Sequence, residues 1–186
     1  MDLKILPSAL SGSITVPESK SVTHRLIIAL AISKFQSKDY TNDENPIAFL
    51  EELLNNPSDD IIATLQCCQN LALHNPAGDC RNSGTTFRLL LPIFAVLFDC
   101  FTLSVGQQLS NRPIDTLIDA LAQGGCAVTS EELSFHGNGL FTGGTYSLPG
   151  NISSQYISAL LFALPLTEEG GTLKITTQLE SRPYVD

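Results

Sequence analysis

Residues 89–98, LLLPIFAVLF, are ten apolar residues in succession, preceded by GDCRNSGTTFR. A turn followed by a helix is the natural reading, and a helix that is apolar on all sides has no face to offer water. It is far shorter than the ~20 residues a membrane span needs. The segment therefore predicts a buried helix that neighbouring elements must enclose. A chain of 186 residues, 43% hydrophobic, is long enough for one sizeable domain or for part of a larger one.

The flanking sequence alternates between the two periods. Leu3 to Leu10 and Gly12 to Val16 read as short extended pieces. Ser19 to Ile32 reads as a helix capped by Ser19 or Ser21, with Leu26, Ile27, Leu30 and Ala31 as its apolar face. Residues 34–60 are polar and loop-like at first, then IAFLEELLNNP suggests a short helix that Pro57 ends. SDDIIATLQCCQNL suggests another, capped by Ser58 with acids in its first turn. FTLSV predicts a strand, and LSNRPIDTLIDALAQGG an amphipathic helix with Asn111 as cap, Pro113 in the first turn and Gly124-Gly125 as the stop. CAVTSE, LSFHG and GTYSLPG predict short strands between glycine-rich turns. NISSQYISALLFALPL predicts a helix and GTLKITTQL a strand. The alternation predicts an α/β (or α+β) fold.

Charge narrows the function. The net charge is −9, which argues against a general nucleic-acid or anionic-membrane surface, because binding phosphate backbones takes a broad basic face. The five cysteines (Cys67, Cys68, Cys80, Cys100, Cys126) form no CxxC pair and read as free thiols. His24, His74 and His136 show no metal-ligand spacing, so no metal is expected. MDLKILPSAL has no signal-peptide pattern, so the expectation is a soluble, cytoplasmic protein without membrane partners.

The cations that are present are not scattered. Lys20, Arg25, Arg81, Arg88, Arg112 and Arg182, six of the ten Lys and Arg residues, fall in polar helix openings or in the terminal SRPY. Lys20 and Ser21 open the first helix, with Arg25 one turn in. Asn82, Ser83, Gly84 and Thr85 open the second, with Arg88 one turn in. Arg112 stands at the third, and Ser153, Ser154 and Gln155 at the fourth. A helix N-terminus already favours an anion, and a neighbouring guanidinium adds a fork that fits carboxylate or phosphate. Each element alone reads as an ordinary cap or surface charge; together they point to a small, multiply anionic ligand. Other templates fail, since the chain has no GxxxxGK[ST], no GxGxxG opening a βαβ unit and no GxSxG elbow.

VPESKSVTHR, NSGTTFRLL, NRPIDTLIDALAQGGCAV, GNISSQYISALLFALPL and SRPYVD, in this order, resemble the signature segments of the enolpyruvyltransferase family, and PSDD matches a further short feature. The resemblance spans essentially the whole chain. It implies an incomplete lobe of an inside-out α/β barrel built from βαβαββ units. Residues 1–12 would be an opening strand and hinge of the other lobe, and 13–186 most of the N-terminal substrate-binding lobe. The second lobe, absent here, would be this chain's partner in an enzyme expected to be a monomer.

The implied reaction adds the 5-hydroxyl of shikimate 3-phosphate to C2 of phosphoenolpyruvate with protonation of C3, and the tetrahedral intermediate then loses phosphate. It belongs to the shikimate pathway of aromatic amino-acid biosynthesis and needs no cofactor. By matching motif positions, Lys20 would be catalytic and contact phosphoenolpyruvate together with Gly84, Arg112 and Gln155. Ser21, Arg25, Ser153, Ser154, Gln155, Ser181 and Tyr184 would hold shikimate 3-phosphate, and Asn82, Thr85 and Arg88 would shape the second opening. The family inhibitor glyphosate would occupy the phosphoenolpyruvate side, with Gly84 the position where added bulk excludes it.

The sequence also departs from the family pattern. Glu18 stands where a small residue is usual, His24 where Asn is common and Arg81 where Gly is frequent. Family members are more than twice as long, and their second-lobe acid/base groups have no counterpart here, so the chain alone is expected to be inactive. Two alternatives are a relative acting on UDP-N-acetylglucosamine, whose first motif usually has Asn where Ser21 stands, and a non-catalytic anion-binding module.

Overall fold

A computed structural model describes residues 12–13, 19–37, 47, 49–50, 54 and 56–185. The extended piece expected over Leu3 to Leu10, all of the second piece but Gly12 and Ser13, most of the 34–60 region and Glu18 lie outside the described residues.

Helix α1 (Lys20–Ser37) buries His24, Ile27, Ile28, Ala31 and Ile32. This is a neighbouring stripe to the expected one. Leu26 is 60% exposed, because α1 turns His24 and Ile28 inward instead. Helix α2 (Asp59–Ala72) begins after Ser58 with two acids in its first turn, but the Ser58 side chain makes no capping bond.

Strand β1 (Ala77–Asp79), helix α3 (Gly84–Leu97) and strand β2 (Cys100–Ser104) form a parallel βαβ unit, with Ala77 opposite Thr102. Helix α3 is the predicted apolar helix. Ten of its residues, Gly84, Thr86, Phe87 and Leu89 to Ala95, are buried. A single turn α4 (Gln107–Ser110) leads to helix α5 (Asp115–Gln123), then to the hairpin of β3 (Ala127–Glu131) and β4 (Ser134–Asn138). The sheet order is β1-β2-β4-β3, with β4 antiparallel to both neighbours. Apart from α4, the run is β-α-β-α-β-β, the expected unit. β5 (Gly144–Leu148), helix α6 (Ser154–Ala163) and β6 (Gly171–Ile175) begin another, with β5 and β6 parallel. The fold is thus mixed α/β, and no closed barrel forms among the described residues.

The expected start of α5 is corrected. Its N-cap position is Ile114, and Asn111 instead closes α4. Pro113 precedes the helix, where its carbonyl accepts bonds from Arg88 and Tyr156. The predicted stop holds, as Gly125 follows α5 with φ +99°, a conformation that only glycine adopts without strain.

Helix α3 packs most extensively against α6 and also touches α1, α2 and α5. One core runs through all of them, including Phe94, Leu103, Leu117, Phe141 and Leu160. The five cysteines are free thiols, four of them buried. Among the described residues no helix is long and apolar enough to cross a membrane.

Candidate anion-binding site

The first two turns of α1, α3 and α6 meet, and this brings the candidate residues together. Ser83 takes the N-cap position of α3 and its Oγ accepts the Thr86 amide at 3.3 Å. Ser153 caps α6 in the same way, accepting the Gln155 amide at 3.2 Å. Both caps satisfy amides that a helix opening leaves unpaired. The approach to α6 is fixed by Thr177, whose Oγ1 accepts the Gly150 and Asn151 amides at 2.9 and 3.2 Å.

Two guanidinium groups reach α6. Arg88 Nη1 donates to Gln155 Oε1 at 3.0 Å and Nη2 to the Pro113 carbonyl at 3.3 Å. Its guanidinium carbon stands 5.6 Å from the centre of the Tyr156 ring. Gln155 Nε2 donates to Thr85 Oγ1 at 2.9 Å, so Gln155 ties α3 to α6. Arg25 Nη2 donates to Ser158 Oγ at 2.9 Å and Nη1 to the Ser21 carbonyl at 2.8 Å, with the Tyr184 ring centre 5.2 Å away. Ser158 Oγ in turn donates to the Tyr184 carbonyl at 3.1 Å. Gln155 and Ser158 are three apart on one helix and so share a face, about 5–6 Å apart at Cβ. The two guanidinium groups are thereby anchored one helical turn from each other.

Each guanidinium pays for this rigidity with an Nε–H that is buried without an acceptor. Burial also pushes the Arg25 guanidinium down from its ordinary value, with Tyr184 acting in the opposite direction. A small cavity of about 130 Å³ opens beside Arg25, Ser158, Phe162 and Tyr184.

Gly84 is the first residue of α3 and is buried. A Cβ built on it would stand 3.4 Å from Arg112 Nη1 and 3.6 Å from Arg88 Nη1. The space over this helix opening is therefore flanked by two guanidinium groups, and the glycine keeps it open.

The other candidates are less tightly bound into the site. Lys20 Nζ, at the opening of α1, lies 3.3 Å from Asp60 Oδ2. Ser154 is half-buried at the start of α6. Ser181 is exposed, with φ +52°, just before a turn of 3-10 helix, Arg182–Tyr184. The Asn82 side chain lies over Gly106, where an added Cβ would overlap it. Arg81 does not join the cluster. Its Nη2 donates to Gln66 Oε1 at 3.0 Å, and its φ of +49° accounts for a site where glycine is easier.

Asp60, Ser158 and the Pro113 carbonyl were not foreseen as parts of the site. Ser158 had a legible signal, since it follows Ser154 by four residues and Gln155 by three on a predicted helix. The Pro113 carbonyl had none.

Residues 6–186 match the family described as EPSP synthase (3-phosphoshikimate 1-carboxyvinyltransferase). The 3-phosphoshikimate 1-carboxyvinyltransferase of Clostridium beijerinckii is 33% identical over 218 residues, covering 100% of this chain and 46% of that protein. The protein of the same name from Nitrosopumilus maritimus is 33% identical over 207 residues, again covering 100% and 46%. A solved EPSP synthase from Acinetobacter baumannii superposes with a TM-score of 0.65 at 22% identity, over 94% of this chain and 42% of that one. That likeness speaks for the fold. The chain spans about half the length of the curated relatives it matches, 46% of each of these two. Signature segments, β-α-β-α-β-β order and a family match running from residue 6 to residue 186 agree: the chain belongs to the EPSP synthase family.

Proposed function

We propose that the chain is the substrate-binding lobe of a 3-phosphoshikimate 1-carboxyvinyltransferase. The supporting observation is the pairing of Arg88 with Gln155 and of Arg25 with Ser158, one turn apart on α6. Two anion sites side by side suit two anionic substrates that must react with each other. Phosphoenolpyruvate would lie over Gly84, between Arg112, Arg88 and Gln155, with Lys20 reaching it once its ammonium leaves Asp60. Shikimate 3-phosphate would lie against Arg25, Ser21, Ser153, Ser154, Ser181 and Tyr184, with Gln155 between the two ligands. Asn82 and Thr85 would shape the opening of α3.

The 5-hydroxyl oxygen attacks C2 of phosphoenolpyruvate and gives up its proton while C3 takes one; the C2–O bond to phosphate then breaks as C3 loses a proton, which restores the C2–C3 double bond. Fixed guanidinium groups and helix openings stabilise the charge that moves onto the phosphate, and they do so without reorganising. Lys20 would supply charge or a proton at this point. The remaining acid/base groups would come from the part of the relatives that this chain does not span. Residues 1–12 would belong to that second lobe and 13–186 to this one, in a monomeric cytoplasmic enzyme.

Titration calorimetry tests the reading. Heat on adding shikimate 3-phosphate to the purified chain supports it. Heat with UDP-N-acetylglucosamine alone favours the related transferase, and heat with neither leaves only an interaction module. The chain alone should release no phosphate from the two substrates together.

A further inference from the structure

A buried polar chain runs beneath the site and is not used by it. His24 lies one turn into α1 from Lys20, and its Nδ1 is 2.6 Å from Thr64 Oγ1 on α2. Thr64 Oγ1 is 2.6 Å from Thr86 Oγ1 on α3, and Thr86 Oγ1 is 2.6 Å from Ser83 Oγ. His24, Thr64, Thr86 and Ser83 are at most 3% exposed. The chain therefore joins three helix openings within the protein interior, where satisfied polar networks are rigid and half-satisfied ones are costly.

Each hydroxyl has one hydrogen, and the chain offers more than one place for it. Thr86 Oγ1 donates to Ser83 Oγ, and the Thr64 and Thr86 hydroxyls also lie 3.1 and 3.4 Å from the Asp60 carbonyl, which accepts a hydrogen that the chain itself does not use. The His24–Thr64 bond therefore forms with Nδ1 as donor or as acceptor, and in both cases it ties α1 to α2.

We propose that His24 is a positioning residue: bonded to the end of the Thr64–Thr86–Ser83 chain, it holds the opening of α1, with Lys20, in fixed register with the opening of α3, with Gly84. The link to ligand binding rests on the anion-site reading above. The charges around His24 are compatible with a neutral ring. Burial pushes its pKa down to about 4, the Asp60 carboxylate from α2 opposes this, and Lys20 and Arg25 on its own helix reinforce it.

The substitution His24→Asn places an amide atom where Nδ1 stands and keeps a hydrogen-bonding partner for Thr64 that does not titrate in this range. His24→Leu removes that partner. Two measurements on the chain decide the matter. Amide hydrogen exchange in the first two turns of α1 and α3 should rise at least tenfold in His24→Leu, without a matching rise in β2 and β4, and should stay within about threefold of wild type in His24→Asn. Equal protection in all three proteins overturns it. Phosphoenolpyruvate affinity should fall at least tenfold in His24→Leu and hold within about threefold in His24→Asn. Unchanged binding in a folded His24→Leu refutes the positioning role. A wild-type chain that binds no phosphoenolpyruvate refutes the anion-site reading instead, and the exchange results still decide the tie.

Discussion

Gly84→Ala separates folding from binding at one atom. Gly84 does not have a positive φ, so an L-residue fits its backbone. The new methyl would meet Arg112 Nη1 at 3.4 Å, Leu109 Cδ1 at 3.5 Å and Arg88 Nη1 at 3.6 Å, all ordinary contacts. Nothing in the folded protein has to move. Removing a glycine from a compatible site restricts the unfolded chain and stabilises by about 0.4–1 kcal/mol. For a protein of this size that raises Tm by about 1–4 °C. An anion oxygen bonding either guanidinium has to come within about 2.9 Å of its nitrogen, and the methyl takes up that approach. Losing one charge-assisted bond costs about 1.5–3 kcal/mol, or about 10- to 150-fold in affinity. Scanning calorimetry and titration with phosphoenolpyruvate measure the two effects on the same sample. A variant that melts higher yet binds at least tenfold more weakly is the expected result. A lower Tm would mean that the space is already filled. Unchanged affinity in a folded variant would place the anion elsewhere.

Arg25→Ala should weaken shikimate 3-phosphate binding by about 10- to 150-fold, the range for a lost charged hydrogen bond. Arg25→Lys should recover little of this by calorimetry, because a point charge cannot bond the Ser21 carbonyl and Ser158 Oγ together as the fork does. Gly124→Ala should destabilise by about 1–3 kcal/mol in thermal melts, the usual cost of overpacking, since its Cβ would overlap the buried Phe141 ring and crowd the Tyr146 hydroxyl. Stability should also fall in acid through His24. Its folded pKa of about 4 lies below the ordinary 6.5, so the unfolded chain takes the proton first. This contribution is complete above pH 6.5 and declines by about 1.4 kcal/mol per unit as pH falls, to about 3 kcal/mol lost near pH 4. Urea melts at pH 7.5 and 5 should show a smaller acid loss in His24→Asn than in wild type.

The parts of this fold that were legible are those decided locally. Helix α3 was evident because its apolar run leaves no polar face, and β3, β4 and β5 because glycine-rich turns punctuate them. Strand β1 was not, because Ala-Gly-Asp has no strand preference of its own and is extended only through its pairing with Thr102, Leu103 and Ser104. The same division holds in α1. Two overlapping stripes of apolar residues could face the core, and the stripe with His24 wins because Thr64 on α2 offers its ring a partner. The α5 cap failed for a related reason. Asn111 is a good cap in isolation, but Arg88 and Tyr156 both draw on the Pro113 carbonyl, and the chain enters the helix later, at Asp115.

The candidate site follows the same rule. Its cations were visible because an acidic chain that gathers six of ten Lys and Arg residues into helix openings and its terminal SRPY needs an explanation beyond solubility. Their partners were not, since Asp60, Ser158 and the Pro113 carbonyl meet Lys20, Arg25 and Arg88 only when α1, α2, α3 and α6 pack. Those partners matter to function because a lone arginine is a mobile charge. An arginine bonded at two Nη atoms and backed by an aromatic ring has a fixed direction, and Arg25 and Arg88 are both held in this way. Fixed charges stabilise a developing phosphate charge without first having to reorganise. Helix α6 therefore does more than line the site. By seating Gln155 and Ser158 one turn apart, it fixes the separation of the two guanidinium groups, and with it the distance at which two anionic ligands would be held for reaction.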